Sequence, residues 1–238
     1  MRHVVINPTW RCQLACAYCW LPHARIDRQA HEVPVMRWAL ALERYLTPGD
    51  LVDVSGGEPL LRPGLDVLLH RLGNGGIRWA LTTNALATEA IDRMLELLPH
   101  NSVQINASDH AGNAAAWVNV RRLRAAGYNV QVNRVAHEAA GNHEAGGVAL
   151  PYQDWQGGQA LDGLARSCDA GDRHWVADPA GNVWRCQVWL QLGKPSMGNL
   201  FDGSFMPSVG AWDCTTGCSS CYRDTPEAWE IGMSVCER

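Results

Sequence analysis

The sequence has a single lysine, Lys194, among its 20 basic residues, and little charge of any kind: 18% of its 238 residues are Asp, Glu, Lys or Arg, for a formal net charge of −4. So small a net charge, on the acidic side, gives no general attraction to polyanions, so nucleic acid is not an expected partner. The chain also lacks any uninterrupted apolar run near 18 residues, and its opening MRHVVINPTW holds no apolar stretch of signal-peptide length. No membrane association is therefore expected, and a soluble, cytoplasmic protein is. What the chain does have is 47% hydrophobic residues, eleven Trp and nine Cys. Its length suits one domain with an appendage. An odd set of nine thiols in a reducing compartment points to metal or redox chemistry before a disulfide framework.

Periodicity organises the first 135 residues. His3 to Ile6 is a short β-branched run that suits a buried strand, and it leads straight into a cysteine-bearing loop. Val35, Trp38, Ala39, Leu42 and Tyr45 recur at helical spacing behind Pro34, and Leu51 to Val54 is a second apolar strand closed by Gly56, Gly57, Glu58 and Pro59. The spacing then predicts helix 63–72, strand 77–81, helix 88–98, strand 103–105, helix 114–126 and strand 129–135. Such alternation builds βαβ units on a parallel sheet, either open and doubly wound or a partial β/α barrel. One more strand, 148–150, and a helix, 156–164, are expected before the pattern decays. Residues 167–238 are rich in Cys, Gly and Trp with little periodic apolar sequence. They read as a small module, appended to a domain of residues 1–166, that needs a metal staple.

Cys12, Cys16 and Cys19 stand at C-x3-C-x2-C in the loop after the first strand. Three thiolates leave a tetrahedral zinc site one ligand short, but they can hold three irons of a [4Fe–4S] cube and leave the fourth open. This pattern, with Tyr18 at the aromatic position before the last Cys and Gly56-Gly57-Glu58-Pro59 closing the second strand, resembles the radical S-adenosylmethionine (radical SAM) superfamily over roughly residues 3–135. The resemblance implies an α/β fold, a partial (β/α) barrel of about five or six parallel strands with a small C-terminal iron–sulfur module. It also implies SAM chelated to the open iron, an external one-electron reductant such as flavodoxin or ferredoxin, and a 5′-deoxyadenosyl radical that takes a hydrogen atom from substrate. SAM contacts fall by this resemblance on Tyr18, Gly56, Gly57, Glu58, Pro59, Thr82, Thr83, Asn84, Asn106 and Ser108, with Asn133 on the fifth strand. All but Tyr18 lie where parallel α/β folds gather their sites, at strand C-terminal ends. The Gly pair lets backbone approach a ligand closely.

Six cysteines remain. Cys168 and Cys186 flank a predicted hairpin whose turn is Asp178-Pro179-Ala180-Gly181, and Cys214, Cys218 and Cys221 form a second C-x3-C-x2-C. The layout resembles the SPASM and shorter twitch extensions of radical SAM enzymes. It implies one auxiliary [4Fe–4S] cluster on Cys168, Cys186, Cys218 and Cys221, with Cys214 a possible substitute for either of the last two; zinc on four thiolates is the alternative. Cys236 is a candidate hydrogen-atom or proton donor. Arg134, with His137, His143 and Glu144, could orient a substrate or take a proton.

An auxiliary cluster that accepts the substrate radical's electron implies net oxidation, as in the alcohol-oxidising aminocyclitol dehydrogenases of natural-product biosynthesis. The alternatives are modification of a ribosomal peptide by crosslink or epimerisation, and, from another class, an activase or a non-catalytic iron–sulfur or zinc protein. The first strand begins at residue 3, which leaves no room in this chain for a leader-peptide recognition domain and favours a small polar substrate.

Overall fold

In the computed structural model, residues 1–16, 19, 32–97, 102–110, 113–135, 149–150 and 166–214 are described. Strand β1 (His3–Ile6) is followed by helix α1 (Val35–Tyr45), β2 (Leu51–Val54), α2 (Leu65–Asn74), β3 (Arg78–Thr83), α3 (Thr88–Leu97), β4 (Ser102–Asp109), α4 (Ala114–Ala125), β5 (Val130–Val135) and β6 (Ala149–Leu150). Then come β7 (Arg166–Cys168), β8 (His174–Ala177), β9 (Val183–Trp184), α5 (Gln187–Gln191) and β10 (Trp212–Cys214). No described helix is long and apolar enough to cross a membrane.

The main sheet runs β6-β5-β4-β3-β2-β1-β8-β9, and every neighbouring pair in it is parallel except β8 with β9. It is the expected α/β partial barrel, with one parallel strand more than expected. That strand, β8, comes from beyond residue 167: His3 pairs with His174 and Ile6 with Ala177. The expected hairpin forms between β8 and β9, turning through Gly181 at φ 86°, where a left-handed residue is needed. Strands β7 and β10 pair antiparallel as a separate small sheet. The expected helix 156–164 lies outside the described residues.

Strand residues alternate between two buried layers, as a covered parallel sheet requires. One face carries Val4, Ile6, Val52, Val54, Trp79, Leu81, Ile105, Ala107, Val130 and Val132. These join Trp38 and Leu42 of α1, Leu68 and Leu72 of α2, Ile91 of α3 and Leu123 of α4 in one apolar core. The opposite face presents Asp53, Gln104, Asn106 and Asn133, all buried and all polar. This polar interior explains why β4 runs on to Asp109 where periodicity of apolar residues marked only 103–105. The segment after β9 returns to the same core, with Phe201 edge-on to Trp38 at 5.0 Å and Phe205 edge-on to Trp175 at 5.3 Å.

Candidate active site

The loop that carries the first three cysteines starts at the C-terminal end of β1 and is clamped by the turn that closes β2. Gly57 N–H donates to the Thr9 carbonyl at 3.0 Å and Glu58 N–H to the Arg11 carbonyl at 2.7 Å. The backbones meet so closely that a Cβ on Gly57 would overlap the Trp10 carbonyl oxygen at 2.6 Å, and one on Gly56, at φ 123°, would sit 2.5 Å from the Thr9 carbonyl oxygen. The close approach expected of the glycine pair is thus made to the cysteine loop itself.

Glu58 joins this turn to the next strand. Its Oε1 accepts from Leu60 N–H at 3.0 Å and from Thr83 Oγ1 at 2.7 Å, and its Oε2 accepts from Asn84 N–H at 2.7 Å. Full burial pushes its carboxyl up to about 7, against the pull of those three donors. Ala85 follows at φ 56°, a left-handed conformation uncommon for a residue with a Cβ, and its N–H is held by Thr83 Oγ1 at 2.9 Å. The kink turns Asn84 toward the cysteines. Its Oδ1 accepts from Gln13 Nε2 and Leu86 N–H, and its Nδ2 faces Cys12 Sγ at 3.9 Å.

The thiols themselves are near one another. Burial raises the Cys12 thiol; the Leu14 N–H, 3.4 Å from its sulfur, opposes this, and the charges of Glu58, Cys16 and Cys19 add to it. Cys19 N–H donates to the Cys16 carbonyl at 3.1 Å, and Cys16 Sγ lies 3.6 Å from His110 Nδ1, in the loop after β4. Among the described residues the cysteines form no disulfide. Among the described residues no group of three metal-ligating side chains is already gathered to hold an ion. The donor set nonetheless fits an iron–sulfur cluster with one open iron. It comprises three thiols in a short loop, whose thiolate forms are disfavoured at Cys12 by burial and by neighbouring negative charge that a cationic centre would offset.

A charged strap fixes the root of the loop. Glu32 accepts from Thr9 Oγ1, from Arg11 Nε and Nη2 at 2.8 Å, and from Arg62 Nη1 at 2.9 Å, while Arg62 Nη2 reaches the Val33 carbonyl at 2.5 Å. Partial burial would raise Glu32, but the Thr9 and Arg11 hydrogen bonds and the Arg62 charge outweigh it and hold the carboxyl below its usual range.

Inside the barrel, amides line β4 and β5. Gln104 Nε2 donates to Asn106 Oδ1 and, at 2.9 Å, to Gln131 Oε1; Gln131 Nε2 donates to Asn133 Oδ1 at 3.3 Å. Among the described residues Asn133 Nδ2 and Thr82 Oγ1 are buried with no hydrogen-bond partner. The register sets Thr82 beside Asn106 and half-buried Ser108 beside Asn133, so the polar groups share the strands' C-terminal ends. Sequence reading overlooked Gln104, Gln131, Gln13 and His110. The repeat of Gln-x-Asn on successive strands, at 104–106 and 131–133, was the available signal for the first two.

The remaining sequence candidates divide. Pro59 opens the short turn Pro59–Leu61 and is buried, and Arg134 stands opposite Asp109 and Ala149 in the backbone register. Cys168 is buried on β7, Cys186 precedes α5, and Cys214 lies on β10. Trp212 pairs with Cys168, so Cys214, two residues on, shares the face of Cys168. Arg185, next to Cys186, lies over Trp212 at 4.6 Å and over Trp189 at 5.6 Å. Trp175, on β8, is fully buried in the barrel core. Tyr18, Cys218, Cys221, Cys236, His137, His143 and Glu144 lie outside the described residues.

A loop of three thiols docked at the mouth of a parallel barrel, over a Gly-Gly-Glu-Pro turn, defines an enzyme class that couples an open-iron cluster to a bound cofactor. The match to the Radical SAM superfamily over residues 6–144 agrees, and the chain belongs to that superfamily. It is similar to the PqqA peptide cyclase of Xanthomonas oryzae pv. oryzae (strain MAFF 311018), 29% identical over 167 residues, covering 64% of this chain and 44% of that protein. It is also similar to the GTP 3′,8-cyclase of Pelotomaculum thermopropionicum, 39% identical over 95 residues, covering 36% of this chain and 28% of the other. The chain therefore spans less than half the length of these curated relatives. Among solved structures, BtrN in complex with AdoMet and 2-DOIA matches with a TM-score of 0.58 at 19% identity, over 85% of this chain and 79% of that one. The anSMEcpe structure with AdoMet and the Cp18Cys peptide matches with a TM-score of 0.52 at 12% identity, over 85% and 78%. These two support the fold.

Proposed function

We propose that this protein cleaves SAM reductively and uses the product radical to oxidise a small polar substrate of the alcohol or aminocyclitol kind. The observation that carries the proposal is the docking of the Cys12–Cys16–Cys19 loop onto the Gly56-Gly57 turn. When bound, the cluster and SAM supply a 5′-deoxyadenosyl radical that abstracts hydrogen, and an auxiliary cluster supplies an acceptor for the substrate's second electron. The chain's own part is positional. Cys12, Cys16 and Cys19 hold three irons; the polar groups of Thr82, Asn84, Asn106, Ser108 and Asn133, with Tyr18 and the 56–59 turn, hold SAM. The buried amides of β4 and β5 offer neutral donors and acceptors, which suit hydroxyl groups better than a charged ligand. Arg134 and Cys236 stay candidates for orienting substrate and moving a proton or hydrogen atom.

In this reading residues 167–238 form the auxiliary module, with β8 as the part built into the barrel sheet of residues 1–166. Its cluster takes Cys168 and Cys186 with Cys218 and Cys221; the shared face of Cys168 and Cys214 supports Cys214 as a substitute. An external flavodoxin or ferredoxin supplies the first electron.

Peptide modification is the second reading, favoured by the PqqA peptide cyclases, one of which aligns with 64% of the chain. Anaerobic reconstitution distinguishes the two. The test mixes the loaded protein, SAM and a reductant with either 2-deoxy-scyllo-inosamine or a short peptide, and 5′-deoxyadenosine and substrate mass are followed. A loss of two mass units from the aminocyclitol supports the first reading; a loss of two from the peptide (a crosslink), or a gain of one in deuterated water (epimerisation), supports the second. Protein that loads iron and sulfide yet forms no 5′-deoxyadenosine overturns both.

A further inference from the structure

Two side chains beside the cysteine loop lie outside its ligand set yet face its sulfurs, and one of them, Asn84, is also a SAM contact in the reading above. Asn84 Nδ2 faces Cys12 Sγ at 3.9 Å, and His110 Nδ1 faces Cys16 Sγ at 3.6 Å. They reach the sulfurs from different strands, β3 and β4, and each is held from behind. Asn84 is fixed by three hydrogen bonds, its N–H on Glu58 and its Oδ1 accepting from Gln13 and from Leu86, and by the left-handed turn at Ala85. His110 follows Asp109, where β4 pairs with Arg134 of β5, so the ring is carried by the C-terminal end of β4 and not by the cysteine loop.

Hydrogen bonds to cysteine sulfur withdraw negative charge from an iron–sulfur cluster, and they favour its reduced state because that state carries one more electron. We propose that Asn84 and His110 are positioning residues that donate to Cys12 and Cys16, and that they set the reduction potential of the cluster those thiolates hold. This rests on the cluster reading above. Cys12 also receives the Leu14 N–H at 3.4 Å. Asn84 and His110 differ from that donor because they are side chains anchored outside the loop, so they can be changed while the loop's own backbone stays as it is.

Asn84→Asp keeps an acceptor for Gln13 and Leu86 but replaces the donor with an anionic oxygen. His110→Phe keeps the ring and removes the donor. Each variant, together with the unaltered protein, is reconstituted anaerobically, iron and sulfide are counted, and the reduced fraction is followed by electron paramagnetic resonance during a redox titration without SAM. The expected result is full iron loading and a lower midpoint. At a fixed ambient potential, Asn84→Asp should hold about tenfold less reduced cluster relative to oxidised, a shift of about 59 mV for one electron. His110→Phe should shift in the same direction by a smaller amount, and His110→Gln, which restores an N–H, should recover part of it. Midpoints unchanged in both Asn84→Asp and His110→Phe overturn the proposal. So does loss of iron from His110→Phe, which would make His110 a ligand. If Asn84→Asp alone fails to load, the His110 pair still decides. If the unaltered protein itself takes up no cluster, the cluster reading fails and not the donor assignment.

Discussion

Substituting alanine for Gly57 tests whether the glycine pair exists to admit the cysteine loop. The added Cβ would lie 2.6 Å from the Trp10 carbonyl oxygen, against an ordinary carbon–oxygen contact of about 3.3 Å, and nearer still to the Arg11 oxygen, both of them backbone and unable to rotate away. The loop must therefore move by roughly 1 Å. That movement lengthens or breaks the hydrogen bonds from Gly57 N–H to Thr9 and from Glu58 N–H to Arg11, at about 1 kcal/mol net each. Overpacking strain adds about 1–3 kcal/mol, so a destabilisation of roughly 3–5 kcal/mol is expected. Because Arg11 precedes Cys12, the same movement shifts a cluster ligand, and iron uptake should fall with stability. Urea unfolding followed by circular dichroism, with iron content measured on the same samples, reads both. A Gly57→Ala protein that keeps wild-type urea resistance and full iron would refute the docking argument. It would leave the glycine to act on a ligand alone.

Other positions give independent checks. Glu58→Gln places an amide N–H against the N–H of Asn84 or against the Leu60 and Thr83 donors, so a loss of about 1–3 kcal/mol in urea unfolding is expected; an unchanged midpoint would deny the carboxylate its bridging role. With the Glu58 carboxyl raised to about 7, the native state holds that proton better than the unfolded chain, so this group's contribution to stability falls as pH rises from 4.5 through 7. His3 shows the opposite sign. Burial first, then the neighbouring His174 and Arg78, push its ring from 6.5 down to about 3. The unfolded chain therefore binds a proton the native one refuses. Stability should drop as pH falls below 6.5, by up to about 1.4 kcal/mol per pH unit, and His3→Gln should flatten that slope in pH-dependent urea midpoints. Glu32→Gln leaves the Arg62 guanidinium, largely buried, with a weaker partner, and should cost about 1–3 kcal/mol and reduce iron uptake; a protein unchanged in both would show the strap to be incidental.

Most of the barrel was readable because its helices and strands bury a continuous apolar face, and apolar spacing is what periodicity detects. Trp38, Leu42, Leu68, Trp79 and Leu81 announce their layer directly. The inner face does not, since Asp53, Gln104, Asn106 and Asn133 are buried without being apolar. That is why β4 seemed to end at residue 105. Strand β8 escaped assignment to the barrel for a different reason: His174, Trp175, Val176 and Ala177 read as any short strand, and only the parallel register with β1 reveals which sheet they join. At the site, the cysteine spacing and the Gly-Gly-Glu-Pro turn carry their chemistry in adjacent residues, whereas His110 and Cys16 are 94 positions apart and meet only through the fold.

The carboxylate of Glu58 shows how closely the barrel and its cofactor loop depend on one another. Through its N–H it holds Arg11, one residue before Cys12, and through its oxygens it holds Thr83 and Asn84, the residue that faces the Cys12 sulfur. One buried residue thus holds both the backbone just before Cys12 and the strand end whose Asn84 faces the Cys12 sulfur. A change at Glu58 must therefore alter folding stability and the cysteine environment together, and neither effect can be assigned from that position alone. His110 reaches Cys16 without touching this hub. The separation has a physical consequence: substitutions at residues 56–58 should move stability and iron loading in parallel, while substitutions at His110 should move the cluster's potential with stability held constant.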